Sequence, residues 1–135
     1  MTIEWNEEKM ATGFPEIDSQ HKEWIRRVSE FDDAVINRKG QEVIQNTLDF
    51  LTQYSETHFA DEEAVMLQNN SILLKPNKSA HDEFRGMLVE INSWVKNAGA
   101  SSVEVVELKI ALEQWLVNHI CTIDVELRNI DLDKK

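Results

Sequence analysis

The sequence predicts an all-α fold: an antiparallel up-down-up-down four-helix bundle with an N-terminal arm and a short C-terminal helical tail. Three observations predict it. Apolar residues recur at helical spacing along four separate stretches. Only four Gly and two Pro occur in 135 residues, too few for a turn-dense β-sandwich. The breaks between the stretches are short, so neighbours in sequence should pack antiparallel. One domain is expected over 1–135, with the arm at 1–17 and the bundle and tail at 18–130.

The elements follow in order. Ile3, Trp5 and Met10 fleck the arm, which runs to Phe14-Pro15; Gly13 and the proline forbid a continuous helix there. Asp18 or Ser19 can cap the first long helix, whose inner face carries Trp24, Val28, Phe31 and Val35. Asn37-Arg38-Lys39-Gly40 should end it, with cations in the last turn and glycine beyond. A second helix is expected from about Gln41 to Leu67, with Ile44, Leu48, Leu51, Ser55 and Val65 inside. Asn69-Asn70-Ser71 breaks it. Pro76 suits the first turn of a third helix, where its missing N–H costs nothing. The inner stripe there is Phe84, Leu88, Ile91 and Val95, closed by Asn97-Ala98-Gly99. Ser101 or Ser102 can cap the fourth, with Glu104 as capping-box partner and Val105, Leu108, Leu112 and Trp115 inside. A tail from Ile123 to about Ile130 adds one or two turns.

Charge and composition narrow the partners. Fourteen basic against 25 acidic residues give a net charge of −11. So acidic a surface repels phosphate backbones and anionic lipid, which argues against nucleic acid and membrane as partners. No stretch approaches the roughly 20 apolar residues of a membrane span. The first residues lack the basic-then-apolar order of a signal peptide, so the expected address is cytoplasmic. The single cysteine, Cys121, excludes an internal disulfide and reads as a packed thiol. The outer-face acids read as a solvated surface.

The histidines carry the chemistry. Extending each apolar stripe by one turn reaches His21, three residues before Trp24; His58, three after Ser55; His81, three before Phe84; and His119, four after Trp115. All four histidines of the chain thus lie on inner faces, one per helix. Because alternate helices run in opposite directions, all four fall at the same end of the bundle. Glu62 is four residues beyond His58 and shares its face, and Asp124 follows His119. A lone histidine on an apolar face is ordinarily a hydrogen-bonded core residue. Four at one level, with two acids, would each cost about 1–3 kcal/mol if left unsatisfied, which favours a metal. Imidazole and carboxylate without thiolate suit iron, manganese or zinc.

These residues resemble the hemerythrin family, its bacterial single-domain branch most closely. The matching segments are Ile17-Asp18-Ser19-Gln20-His21, His58-Phe59-Ala60-Asp61-Glu62-Glu63 with Met66, His81-Asp82-Glu83-Phe84, and Trp115-Leu116-Val117-Asn118-His119-Ile120 with Asp124. The resemblance implies two non-haem Fe ions, carboxylate- and oxo/hydroxo-bridged. His21 and His58 would hold the one that meets dioxygen, His81 and His119 the other, with Glu62 and Asp124 bridging. It implies reversible dioxygen binding for storage, delivery or sensing rather than enzymatic turnover. Trp24, Phe59, Trp115 and Leu116 would line the apolar ligand pocket. The ferritin-like alternative is disfavoured because no Glu-x-x-His occurs; Asp18, Ser55, Lys78 and Leu116 stand three residues before the histidines.

One position departs from the family pattern. A fifth histidine is usual four residues before the one matching His81, and here that residue is Asn77. Its carbonyl is a weaker ligand for ferrous iron than imidazole, and water is the other candidate for that position. The departure raises two alternatives: an altered di-iron or mono-iron site with peroxide or nitric-oxide redox activity, and a metal-poor interaction scaffold.

Overall fold

The computed structural model describes residues 3–129. Its elements are α1 (Glu7–Met10), α2 (Pro15–Ile36), α3 (Gln41–Gln68), α4 (Leu74–Ala98), α5 (Val103–Thr122) and a closing 3-10 helix (Asp124–Asn129). No strand occurs among the described residues. Helix α2 packs on α3, α3 on α4, α4 on α5, and α2 on α5 closes the ring, which is the predicted four-helix bundle. The 3-10 helix accounts for the expected tail; Ile130 lies outside the described residues.

Several boundaries differ from expectation, each for a local reason. The arm contains a helical turn, capped by the Asn6 side chain, which accepts from the Lys9 N–H at 3.0 Å. Helix α2 begins at Pro15, not at 18, because a proline at the first position forfeits only an orphan N–H. Asp18 is therefore not the cap. Its carboxylate accepts the N–H and the hydroxyl of Thr12, both at 2.8 Å, and so ties the arm to α2. Ile3 and Met10 are buried against the bundle, while Trp5 is half-buried with Lys22 over its ring at 5.1 Å.

The stop after α2 is not the predicted one. Arg38, rather than Gly40, takes the left-handed conformation (φ +48°). The Lys39 N–H bonds to Ala34 C=O and the Arg38 N–H to Val35 C=O, the paired bonds of a Schellman cap. The cations lie beyond the last turn, and Gly40 instead opens α3 at φ +104°. Asn70 caps α3 in the same way at φ +53°. Ser102 caps α5, accepting from the Val105 N–H at 3.3 Å. Glu104 then falls at the second helical position, one short of where a capping box needs it.

The core faces of α2 and α4 are those read from the sequence, with Trp24, Val28, Phe31, Val35, Phe84, Leu88, Ile91 and Val95 all buried. On α3 the buried residue near the end is Met66, with Val65 half-buried beside it. Helix α5 is rotated by about one residue from expectation. Leu108 and Trp115 are only half-buried, whereas Lys109, Leu112, Glu113 and Leu116 point inward. The acids are thus not all on outer faces: Asp32 and Glu113 are buried with Lys109. A second, smaller apolar cluster of Ile17, Met66 and Leu127 closes the end of the bundle where the histidines lie.

Candidate metal centre

The helical spacing delivers the predicted side chains to one place. His21 from α2, His58 and Glu62 from α3, His81 from α4, His119 from α5 and Asp124 from the 3-10 helix are all buried. They form two groups that share both carboxylates: His21, His58, Glu62 and Asp124, and Glu62, His81, His119 and Asp124. Within each group the candidate ligand atoms lie within 4.8 Å of one another.

Each carboxylate faces both groups. Glu62 Oε2 lies 2.9 Å from His21 Nε2 and 3.5 Å from His58 Nε2, while its Oε1 lies 3.2 Å from His81 Nε2. Asp124 Oδ2 lies 3.1 Å from His21 Nε2 and its Oδ1 3.1 Å from His119 Nε2. Asp124 reaches this position because the chain tightens into a 3-10 helix directly after α5.

Electrostatics are severe in so buried a place. Burial disfavours charge on His21, yet the facing Asp124 and Glu62 carboxylates outweigh that and lift it to about 10. His81 is raised as well, against burial, by Glu62 and Glu63. His58 is lowered, chiefly by burial. Burial raises the Glu62 carboxyl, but the facing His58, His21 and His81 hold it well below the usual carboxylate range.

The donor set fits a cation. His58 Nε2, His119 Nε2 and both Asp124 oxygens are buried without a hydrogen-bond partner. Such a concentration of unpaired lone pairs, each costing about 1–3 kcal/mol, is intelligible where they face a metal ion. Nitrogen and oxygen donors without thiolate suit iron, manganese or zinc.

The outer ring nitrogens are also held. His58 Nδ1 lies 2.9 Å from Gln20 Oε1, and the Gln20 amide donates to Asp61 at 2.7 Å. His81 Nδ1 lies 2.8 Å from Glu63 Oε2. Sequence reasoning assigned Gln20 and Glu63 no role of their own. Both stand in the family-matching segments beside His21 and Glu62, but adjacency does not say which neighbouring helix a side chain meets.

An aromatic layer lies beneath the imidazoles. Phe59 stacks on His81 at 3.9 Å and Trp115 on His119 at 4.5 Å, and Trp24 lies 4.9 Å from His58. The Trp24 indole donates to Ser55 Oγ at 3.0 Å, which satisfies its N–H inside the core. Of the expected pocket residues, Trp24, Phe59 and Leu116 are fully buried and Trp115 is half-buried. Phe84, read from the sequence only as core, belongs to the same layer, 5.1 Å from Trp24 and 5.0 Å from Trp115. Asn77 is fully buried at the edge of the site, with its amide donating to Glu62 Oε1 at 2.8 Å.

Fold and site together define an all-α bundle domain that gathers imidazoles around shared carboxylates to hold cations. A family model, the hemerythrin HHE cation binding domain, matches residues 12–128. The chain belongs to the hemerythrin family. It is 30% identical over 118 residues to a bacteriohemerythrin of Pseudomonas aeruginosa, spanning 86% of this chain and 72% of that protein. It is 28% identical over 120 residues to a bacteriohemerythrin of Methylococcus capsulatus, covering 89% of each. A crystal structure of wild-type hemerythrin matches with a TM-score of 0.83 and 25% identity, over 96% of this chain and 98% of that one. No described helix is long and apolar enough to cross a membrane.

Proposed function

We propose that the protein holds two non-haem iron ions and binds dioxygen reversibly. The observation that carries this reading is the pair of buried donor groups sharing Glu62 and Asp124. Two separate groups of two imidazoles, joined by two carboxylates, match two neighbouring cations better than one. Iron held there supplies the electrons and the open coordination position that dioxygen binding requires.

The chain's own residues do the rest. His21 and His58 would hold one ion, His81 and His119 the other, and Glu62 and Asp124 would span both. Gln20 and Glu63 fix the ring orientations of His58 and His81 through their Nδ1 atoms. Trp24, Phe59 and Phe84 keep bulk water and its protons away from one side, and Ile17, Met66 and Leu127 from the other.

The test is iron content per chain, together with visible absorption before and after anaerobic reduction and on return to air. About two irons, with a spectrum that bleaches on reduction and a distinct band that forms in air, is the expected result. One iron or none, with no air-dependent band, would refute the reading in favour of a mononuclear or scaffold role. Rapid steady-state peroxide consumption would refute the carrier assignment.

A further inference from the structure

We propose that Asn77 is a positioning residue for Glu62 and not a ligand. The two cation positions are then alike, each with two imidazoles and the two shared carboxylates, and both remain open to small anionic ligands. This rests on the two-cation reading above.

The amide's orientation follows from its neighbours. Asn77 Nδ2 lies 2.8 Å from Glu62 Oε1 and 3.3 Å from Met66 Sδ. Both neighbours are acceptors. Rotating the amide by half a turn would set Oδ1 against an ionised carboxylate and a thioether sulfur, with no proton between them. Only the NH2 group suits the place, and an NH2 group has no lone pair to offer a metal; the carbonyl Oδ1, buried without a hydrogen-bond partner, is on the other arm of the amide, away from that contact. The choice usually left open for an asparagine amide is therefore decided here by chemistry.

The contact lies on one side of the centre. Glu62 Oε1 is the oxygen that also faces His81 at 3.2 Å, whereas Oε2 faces His21 and His58. Asn77 is four residues before His81 on α4, so the two side chains share a helical face. A residue standing where a third nitrogen ligand could reach instead fixes the carboxylate that serves both ions. What remains for either ion is two histidines plus carboxylate oxygens, a donor set that leaves positions free on iron.

Cobalt(II) loading tests this without relying on dioxygen. Calorimetry should show two Co(II) per wild-type chain; fewer than two would overturn the two-cation reading itself. With two bound, azide titration of the visible bands should reach two azides per chain. Saturation at one azide would overturn the present proposal and leave the two-cation reading intact. Asn77→Leu, which keeps the branched shape without the amide, should weaken cobalt binding by about 10–100-fold, the effect of losing a hydrogen bond to a ligating carboxylate. At saturating cobalt its band positions should equal those of wild type; shifted bands would mean that Asn77 ligates. Asn77→His should add a nitrogen ligand, shift the bands of one cobalt and reduce azide uptake to one. The wild-type titration alone decides the matter if either variant fails to fold.

Discussion

Glu113→Gln should stabilise the protein at pH 8 and leave it nearly unchanged at pH 5. Glu113 is fully buried on α5, with Oε1 3.1 Å from Lys109 Nζ and Oε2 without a hydrogen-bond partner. Lys109 also pairs with Asp32 of α2. Burial, then the neighbouring Asp32, raise the Glu113 carboxyl from 4.5 to about 7, and Lys109 opposes them only in part. The sign follows from proton linkage. A carboxyl raised in the folded state is most favourable below its unfolded value, and that stability is lost as pH rises through 7. At 1.36 kcal/mol per unit, the cost of ionising Glu113 in place approaches about 3 kcal/mol at pH 8. Glutamine imitates the protonated form, so the stability difference should grow by about 2–3 kcal/mol between pH 5 and pH 8. Urea titrations followed by far-UV circular dichroism, at one fixed metal concentration, measure it. Lys109→Met is the companion experiment. It removes the ammonium that Asp32 and Glu113 share and should cost about 3–5 kcal/mol at pH 8. If Glu113→Gln proves destabilising at pH 8, the Lys109 ion pair outweighs the burial of the carboxylate, and the reasoning fails.

Two further variants probe the scaffold and the centre. Arg38→Gly should raise stability by about 0.5–1 kcal/mol, because the left-handed cap strains any residue with a Cβ. Arg38→Ala should not; an equal gain from alanine in urea unfolding would place the effect in the side chain. Glu63→Gln should weaken cation retention by about 10–100-fold in competition with a chromophoric chelator, since it removes the carboxylate behind His81 Nδ1. Unchanged retention would show that the stacked Phe59 ring alone orients His81.

The sequence-based reading succeeded where helix periodicity governs and failed where a single residue's chemistry does. Four stripes of apolar residues sufficed for the bundle, because burying such a stripe leaves few alternatives to packing helix on helix. The histidines were legible for the same reason: each extends a stripe by one turn. Caps were harder. Arg38 and Asn70 hold left-handed conformations that a glycine search passes over, and Asp18 spends its carboxylate on Thr12 instead of on a helix end. The rotation of α5 was hidden by Lys109 and Glu113. An i, i+4 lysine–glutamate pair reads as a solvated face, and only its meeting with Asp32 on another helix makes burial affordable.

The order of layers along the bundle explains how so polar a centre persists inside a small domain. Ile17 lies four residues before His21, Met66 four after Glu62, and Leu127 three after Asp124. Each is therefore one helical turn outward from a candidate ligand, and together they close the end of the bundle over the site. Trp24, Phe59, Phe84 and Trp115 lie one turn inward. The elements that supply these side chains thus also supply residues of both apolar covers. The consequence is energetic. Glu62 and Asp124 cannot be covered unless positive charge is covered with them, borne by a proton on His21 or by a bound cation. Loading the site and closing this end of the bundle are therefore one coupled equilibrium, and each cation held between the shared carboxylates adds directly to the stability of the fold.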